Sequence, residues 1–405
     1  MRALGLGFIR RILKNVQYID FITKSSEENT MAALGVGLIG TGYMGKCHAL
    51  AWNNVTSVFG DVERPRLVTL AEVNPELAAK KAAEFGFARS TGNWRDLLSD
   101  PEIDVISVTT PNAFHPEMAI AALEAGKHVW CEKPMAPAFA DAVKMRDAAR
   151  RSGKAAAMGY NYIQNPVIRH IRRLIDEGAI GKIYHVRAEM DEDFMADATQ
   201  PFYWKSEASS GYGALDDFAV HPLSLLYALF GHAESAITDM VKPYETRPLA
   251  GGGERAVETH DLASVLLKLE GGISAVLIAN RSAWGRKGRI AIQIYGSTGS
   301  ILFDQERMNE FQLYTTDGRP EEQGFRTILT APHHKPYDRF IPAPGHGLGF
   351  NDLKVIECRE LIAAIEGKKA HIIDFKEGLK IERSIHAMAR SFAEGRWVGS
   401  AEIVE

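Results

Sequence analysis

Three groups of residues in this chain have the chemical character of a reactive or ligand-holding site. Gly40-Thr41-Gly42-Tyr43-Met44-Gly45 fits G-x-G-x-x-G, directly after the apolar run Leu34 to Ile39 and directly before a helical pattern opening near Tyr43. In that setting the first glycine permits a tight turn, the second lets the backbone approach a diphosphate, and the third lets helix and strand pack closely. The helix N-terminus then turns free N–H groups and a positive dipole end toward the phosphates, so the run predicts a dinucleotide site. Glu72 ends the next apolar strand, where a carboxylate accepts hydrogen bonds from the adenosine ribose and repels a 2′-phosphate. No Arg or Lys stands among Val73, Asn74 and Pro75, so the expected cofactor is NAD in preference to NADP. Asp217 and His221 are four apart, a spacing that shares one face of a helix, where a carboxylate orients an imidazole and favours its protonated form. With Pro222 and the apolar run Leu223 to Phe230 behind it, His221 on spacing alone reads more readily as a buried structural histidine. Asp216, five residues from His221, falls off the shared face.

The framework around these groups is set by hydrophobic periodicity. Strands are expected at 34–40, 66–72, 105–109 and 128–131, alternating with helices from Tyr43, from Pro75 to about Phe85, and from Pro116 to Ala125. Short apolar strands alternating with helices predict a Rossmann-type α/β domain, a doubly wound parallel sheet, over 33–157. The character changes beyond Ala157. A helix from Pro166 to Glu177 precedes strands at 183–190, 263–269, 273–278 and 290–295, with Gly271-Gly272 marking a hairpin. Residues 158–395 are therefore expected to form an α+β domain around an open, largely antiparallel sheet, with 396–405 as a tail. The Pro-rich stretch 304–349 reads as mostly loop, and helices at about 350–366 and 375–394 close the chain.

At 405 residues the chain exceeds the ~250–300 at which one hydrophobic core stops growing, which agrees with two domains. A hydrophobic fraction of 46% and a net charge of −4 fit a globular protein with no general attraction to nucleic acid or anionic membrane. No apolar run approaches the ~18–20 residues needed to span a bilayer. Cys47, Cys131 and Cys358 lie far apart, which argues against disulfides or structural zinc and for a reducing, cytoplasmic setting. The 13 histidines show no metal-ligand spacing, so no metal is expected. Arg10-Arg11-Ile12-Leu13-Lys14 is loosely like a twin-arginine signal, but Asn15, Gln17 and Asp20 interrupt the apolar stretch that such a signal requires. Met31 stands just before the first strand, so residues 1–32 are expected to be an extension outside the fold.

Thr110-Pro111-Asn112-Ala113-Phe114-His115, then Ala125-Gly126-Lys127-His128-Val129-Trp130-Cys131-Glu132-Lys133-Pro134, resembles the glucose-fructose oxidoreductase, inositol dehydrogenase and rhizopine-catabolism (Gfo/Idh/MocA) family. The likeness continues through Gly159-Tyr160-Asn161-Tyr162, Glu177 to Lys182 and Gly213 to His221, and covers about residues 34 to 395. It implies a nucleotide-binding domain, a sheet domain whose open face makes homodimers or homotetramers, and an active site between them. It aligns Lys133, Asp217 and His221 with the family's catalytic trio, and Thr110, Pro111, Asn112, His115, Glu132 and Lys133 with its cofactor-binding segments. Removing hydride from a secondary alcohol needs a base for the hydroxyl proton and a cation for the developing alkoxide, roles that suit His221 and Lys133. Three departures stand out: Ala219 and Ser224 replace a frequent Gly and Asp around the His, Ile163 replaces an Arg, and Glu72 replaces an Asp.

Asp191-Glu192-Asp193-Phe194 and Pro201-Phe202-Tyr203-Trp204-Lys205 combine carboxylates for hydroxyl groups with aromatic faces for C–H surfaces, as a polyhydroxylated ring requires. Tyr162, Glu192, Asp193 and Trp204, with Lys133 and His221, are the expected substrate shell. These segments, with Gly324 to Thr327 and Ile341 to Pro344, are similar to the levoglucosan dehydrogenase branch, implying NAD-dependent oxidation of a sugar ring hydroxyl, with a 3-keto-sugar as the sharpest form. The alternatives are an inositol-type 2-dehydrogenase, a keto-sugar reductase, and a non-catalytic NAD-sensing regulator.

Overall fold

The computed structural model describes residues 33–404; the expected extension at 1–32, with its Arg10-Arg11 pair and Met31, lies outside the described residues. Gly35–Ile39 is buried along its whole length, as a central parallel strand must be, and pairs with Arg66–Ala71 on one side and Val105–Val108 on the other. His128–Cys131 and Ala156–Met158 extend the sheet one way, and Arg89–Thr91 extends it the other. With the six parallel strands numbered along the chain, the spatial order is 3-2-1-4-5-6, the doubly wound order that opens a crevice beside the first strand. Helix ends obey local chemistry. Asn74 caps Pro75–Phe85 by accepting from the N–H groups of Glu76 and Leu77, and Asp374 caps Phe375–Glu394 by accepting from Glu377.

The second sheet has nine strands, antiparallel except where Ile183–Glu192 pairs with Ile273–Asn280. Leu262–Leu269 alternates buried and exposed residues, turning one face to the core and leaving the other open. The stretch expected to be mostly loop is more ordered than its prolines suggest. Glu310–Thr315 and Arg326–Leu329 extend the sheet edge, and Tyr337–Phe340 forms a short helix, because the prolines stand outside the paired residues. Val398–Gly399, in the expected tail, pairs with Ala233–Val241.

One continuous core runs through both sheets. Phe375–Glu394 packs on Ala233–Val241 of the second sheet and on helix Phe139–Ser152 of the first. Ile373–Asp374 joins the first sheet antiparallel to Ala156–Met158, and Phe350–Ile365 packs on helix Tyr43–Phe59. The end of the chain therefore holds the two sheets together. No helix among the described residues is long and apolar enough to cross a membrane.

Candidate active site

A cleft of about 910 Å³ opens at the C-terminal ends of the parallel strands, where a doubly wound sheet binds its ligand. Its first wall is the glycine turn. Gly40 adopts φ +95°, which favours glycine, and a Cβ on Gly45 would lie 2.3 Å from the Gly40 carbonyl oxygen, so Gly45 sits beneath the turn and does not line the cleft. A Cβ on Gly42 would meet nothing within 4 Å, so that position faces open space. Helix Tyr43–Phe59 starts there without a side-chain cap, leaving its first N–H groups available. Glu72 lines the same cleft, its carboxylate accepting from Thr41 Oγ1 at 2.6 Å and from the Val73 N–H at 2.9 Å. Trp94 and Arg95 arrive from a distant loop, with the guanidinium stacked on Trp94 and paired with Glu117.

Tyr43, Met44, Thr110, Pro111, Asn112, Glu132 and Lys133 also line the cleft. Asn112 donates to the Ser210 carbonyl at 2.9 Å, while its buried Oδ1 has no partner. His115 is buried behind the wall, its ring nitrogens 2.8 Å from the Pro134 carbonyl and 2.9 Å from that of Thr110, so it joins the segments that frame the cleft. An uncapped helix end, an open glycine position, a strand-end carboxylate and an orphaned acceptor together fit a dinucleotide.

The floor is a charged cluster. Lys133 Nζ donates to the Asp217 carbonyl at 2.9 Å and lies 3.4 Å from Asp217 Oδ1. Lys205, adjacent to Trp204, donates to both Asp217 carboxylate oxygens, at 2.7 and 2.8 Å. Buried Arg281 is held by Asp261 and reaches within 3.8 Å of Asp217 Oδ2. Burial alone would raise the Asp217 pKa, but Lys205, Lys133 and Arg281 overcome it and hold the carboxyl well below its usual range. Burial lowers the Lys133 pKa, with the Lys205 charge adding to the effect and Asp217 opposing it. His221 is driven well below its ordinary value by burial and then by the Lys133 charge.

The expected Asp217–His221 pair is not made: the Asp217 carboxylate is engaged by the lysines, and His221 Nδ1 is buried without a partner. The physical reason is a π turn, Leu215–Ala219, directly before helix Val220–Phe230. Its wider winding breaks the four-residue register on which a shared face depends. The same turn brings Asp216, expected to point away, into the cleft lining, where burial and the Asp217 charge raise its pKa to about 7. Ser224 donates to the His221 carbonyl at 2.6 Å, and Ile163 is buried.

Of the expected substrate shell, Trp204 lines the cleft at 37% exposure. Tyr162 packs edge-on to His221 with ring centres 5.0 Å apart, and Glu192 ends its strand within the field of Asp217, Lys133 and Lys205. Asp193 is turned to the rim, where it accepts from Lys287 Nζ at 2.5 Å and from the Gly285 N–H. Beneath the cleft Glu132 Oε1 takes His48 Nε2 at 2.8 Å and Lys354 Nζ at 2.6 Å, and Lys354 also pairs with Glu357. Sequence reasoning missed Lys205, Arg281, Lys354 and His48. Lys205 adjoins the aromatic run, and Lys354 and Glu357 stand at helical spacing, but their partners are distant in sequence. Among the described residues, no group of three or more His, Cys, Asp or Glu is arranged to hold a metal.

Residues 34–160 match the oxidoreductase family with an NAD-binding Rossmann fold, and residues 168–302 match the GFO/IDH/MocA C-terminal domain. Levoglucosan dehydrogenase of Pseudarthrobacter phenanthrenivorans is 34% identical over 388 residues, covering 92% of this chain and all of the relative. A levoglucosan dehydrogenase solved in complex with NADH and levoglucosan superposes with TM-score 0.87 at 35% identity, over 91% of this chain and 100% of the other. An NAD-binding oxidoreductase from Klebsiella pneumoniae superposes with TM-score 0.88 at 34% identity, over 92% and 100%. The chain therefore belongs to the Gfo/Idh/MocA oxidoreductases, and is an NAD-dependent dehydrogenase of that family.

Proposed function

We propose that this protein oxidises a ring hydroxyl of a sugar, glycoside or anhydrosugar with NAD, yielding the keto-sugar, with oxidation at carbon 3 as the sharpest form. The observation that carries the reading is the meeting of Lys133 with Asp217 on the floor of the cleft whose other wall is the glycine turn. The likeness to levoglucosan dehydrogenase supports an anhydrosugar or a related ring. Gly40, Gly42, Tyr43, Met44 and the helix N-terminus would hold the diphosphate, Gly45 would keep their turn tight, and Glu72 would hold the adenosine ribose. Thr110 to Asn112 and Glu132 would line the nicotinamide half, with His115 securing those segments. Bound NAD supplies the hydride acceptor.

The chain's own residues do the rest. His221, kept neutral by burial, takes the hydroxyl proton on its imidazole, and Lys133 Nζ donates to the same oxygen as negative charge develops. Asp217 positions Lys133 through its carbonyl. Trp204 covers a C–H face of the ring, while Tyr162 and Glu192 receive its hydroxyls. Asp193, held by Lys287, has no part in this reading. The exposed Leu266 on the open face of the second sheet supports a homodimer or homotetramer through that face, which light scattering checks, and three free, buried cysteines support a cytoplasmic setting.

Sugars, glycosides and inositols are screened with NAD by the absorbance of the reduced cofactor, and keto-sugars are screened with NADH. Lys133→Ala and His221→Ala are expected to lose roughly 10²–10⁴-fold in kcat while NAD binding persists. Near-normal turnover in either variant would remove its assigned role. A preference for inositols points to a 2-dehydrogenase, and faster keto-sugar reduction to a reductase. Binding without turnover in either direction points to a cofactor-sensing regulator.

A further inference from the structure

Asp217 serves its two ammonium partners unequally. Lys205 spans both carboxylate oxygens at 2.7 and 2.8 Å, whereas Lys133 has one oxygen at 3.4 Å and otherwise rests on the backbone carbonyl. Lys205 is itself held in place. Its carbonyl accepts from Ser210 Oγ at 3.2 Å and from Thr259 Oγ1 at 3.0 Å, and its ammonium lies 5.5 Å from the Phe194 ring centre and 5.8 Å from that of Trp204.

We propose that Lys205 is a positioning residue that occupies the Asp217 carboxylate, so that Lys133 keeps a loosely compensated charge and the site accepts the substrate proton at lower pH than it otherwise would. The inference rests on the roles proposed for Lys133 and His221. A carboxylate free of Lys205 would close on Lys133 and pull more strongly on the proton of either group. Lys205 also adds a positive charge that disfavours a second one close by. Both effects have the same sign, so removing Lys205 raises the proton affinity of Lys133 and of His221.

The other charges facing this pair do not replace it. Glu132 adjoins Lys133 but is already compensated by Lys354 and engaged by His48. Arg281 stands 3.8 Å from Asp217 and is committed to Asp261. The Asp216 carboxyl, raised to about 7 by burial and then by Asp217, supplies less negative charge than a free carboxylate would, and that of Glu192 is raised by burial and then by Asp217. Burial lowers the Lys133 pKa and the Lys205 charge contributes to that lowering, which agrees with the geometry.

The test uses the full chain without cofactor. Lys133 is trace-acetylated across a pH series, and its modified peptide is quantified by mass spectrometry, which gives its titration midpoint without turnover. In Lys205→Met and Lys205→Gln that midpoint is expected to rise by about one pH unit, and in Lys205→Arg to stay near the parental value. Gln keeps a donor to Asp217, which guards against collapse of the loop. An unchanged midpoint in a folded neutral variant overturns the proposal. With NAD and levoglucosan as probes, the acid limb of kcat/KM should move upward in the same two variants. A uniform loss at every pH would instead mark Lys205 as a loop anchor and overturn the proposal. Failure of the underlying reading looks different: Lys133→Met would then retain turnover whatever Lys205 does.

Discussion

Glu72 follows directly on the strand Arg66–Ala71 with both carboxylate oxygens engaged, by Thr41 and by the next backbone N–H, so its carboxylate is aimed before any ligand arrives. A ribose hydroxyl can donate to that carboxylate, whereas a 2′-phosphate meets repulsion. Glu72→Ser is expected to weaken NAD by roughly tenfold, the scale of one hydrogen bond to a charged group, and to favour NADP in relative terms. Fluorescence titration with both cofactors checks this, and an unchanged preference would take Glu72 out of the site. Arg95, brought into the same cleft from another loop, is the cation the variant could use, although Glu117 now holds it. Sequence adjacency around Glu72 could not show Arg95, because the two come to line one cleft only in the folded chain.

At the scale of elements, the three glycines of the turn have separable jobs. Gly45 carries the packing of helix on strand: its Cβ would lie 2.3 Å from the Gly40 carbonyl. Gly45→Ala should therefore cost about 1–3 kcal/mol of stability, as overpacking does, and lose NAD binding as well. Gly42 has φ −67° and no protein atom near its Cβ position, so Gly42→Ala should keep the parental Tm without cofactor yet bind NAD poorly. Calorimetry and cofactor titration on the two variants distinguish them, and equal loss of Tm in both would contradict the division. The π turn at Leu215–Ala219 is the contrasting element. Its widened winding sends Asp217 to the lysines and Asp216 to the cleft, which a 3.6-residue period cannot express.

The whole molecule closes over groups that hold protons. Glu382 accepts from the Met135 N–H through Oε1, its Oε2 has no partner, and burial followed by the Asp216 charge lifts its pKa from 4.5 to about 8. Across that interval the native protein keeps a proton that the unfolded chain releases, so stability falls as pH rises. The compensated carboxyls of Glu132 and Asp217, held low, act oppositely and lose their contribution in acid. Glu382→Gln keeps the acceptor for Met135 and removes the titration. Its Tm should decline less between about pH 5 and pH 8 than that of the parent, and parallel Tm curves would refute the assignment.

The parallel strands, the glycine turn and its helix were legible because each rests on local rules: short apolar runs, glycines where the backbone turns, and caps beside the helices they start. The family motifs pointed to Lys133, which does reach the cleft beside Asp217, whereas spacing alone favoured a structural role for His221, which is buried outside the cleft lining. Strands at 310–315 and 326–329 were hidden because edge pairing depends on a neighbour and short edge strands carry little pattern. The allocation of Asp217 to Lys205 instead of His221, and of Lys354 to Glu132, was settled only in three dimensions. Counter-ions choose partners by distance and burial, and residues 12 and 222 positions apart along the chain become neighbours only after the core has formed.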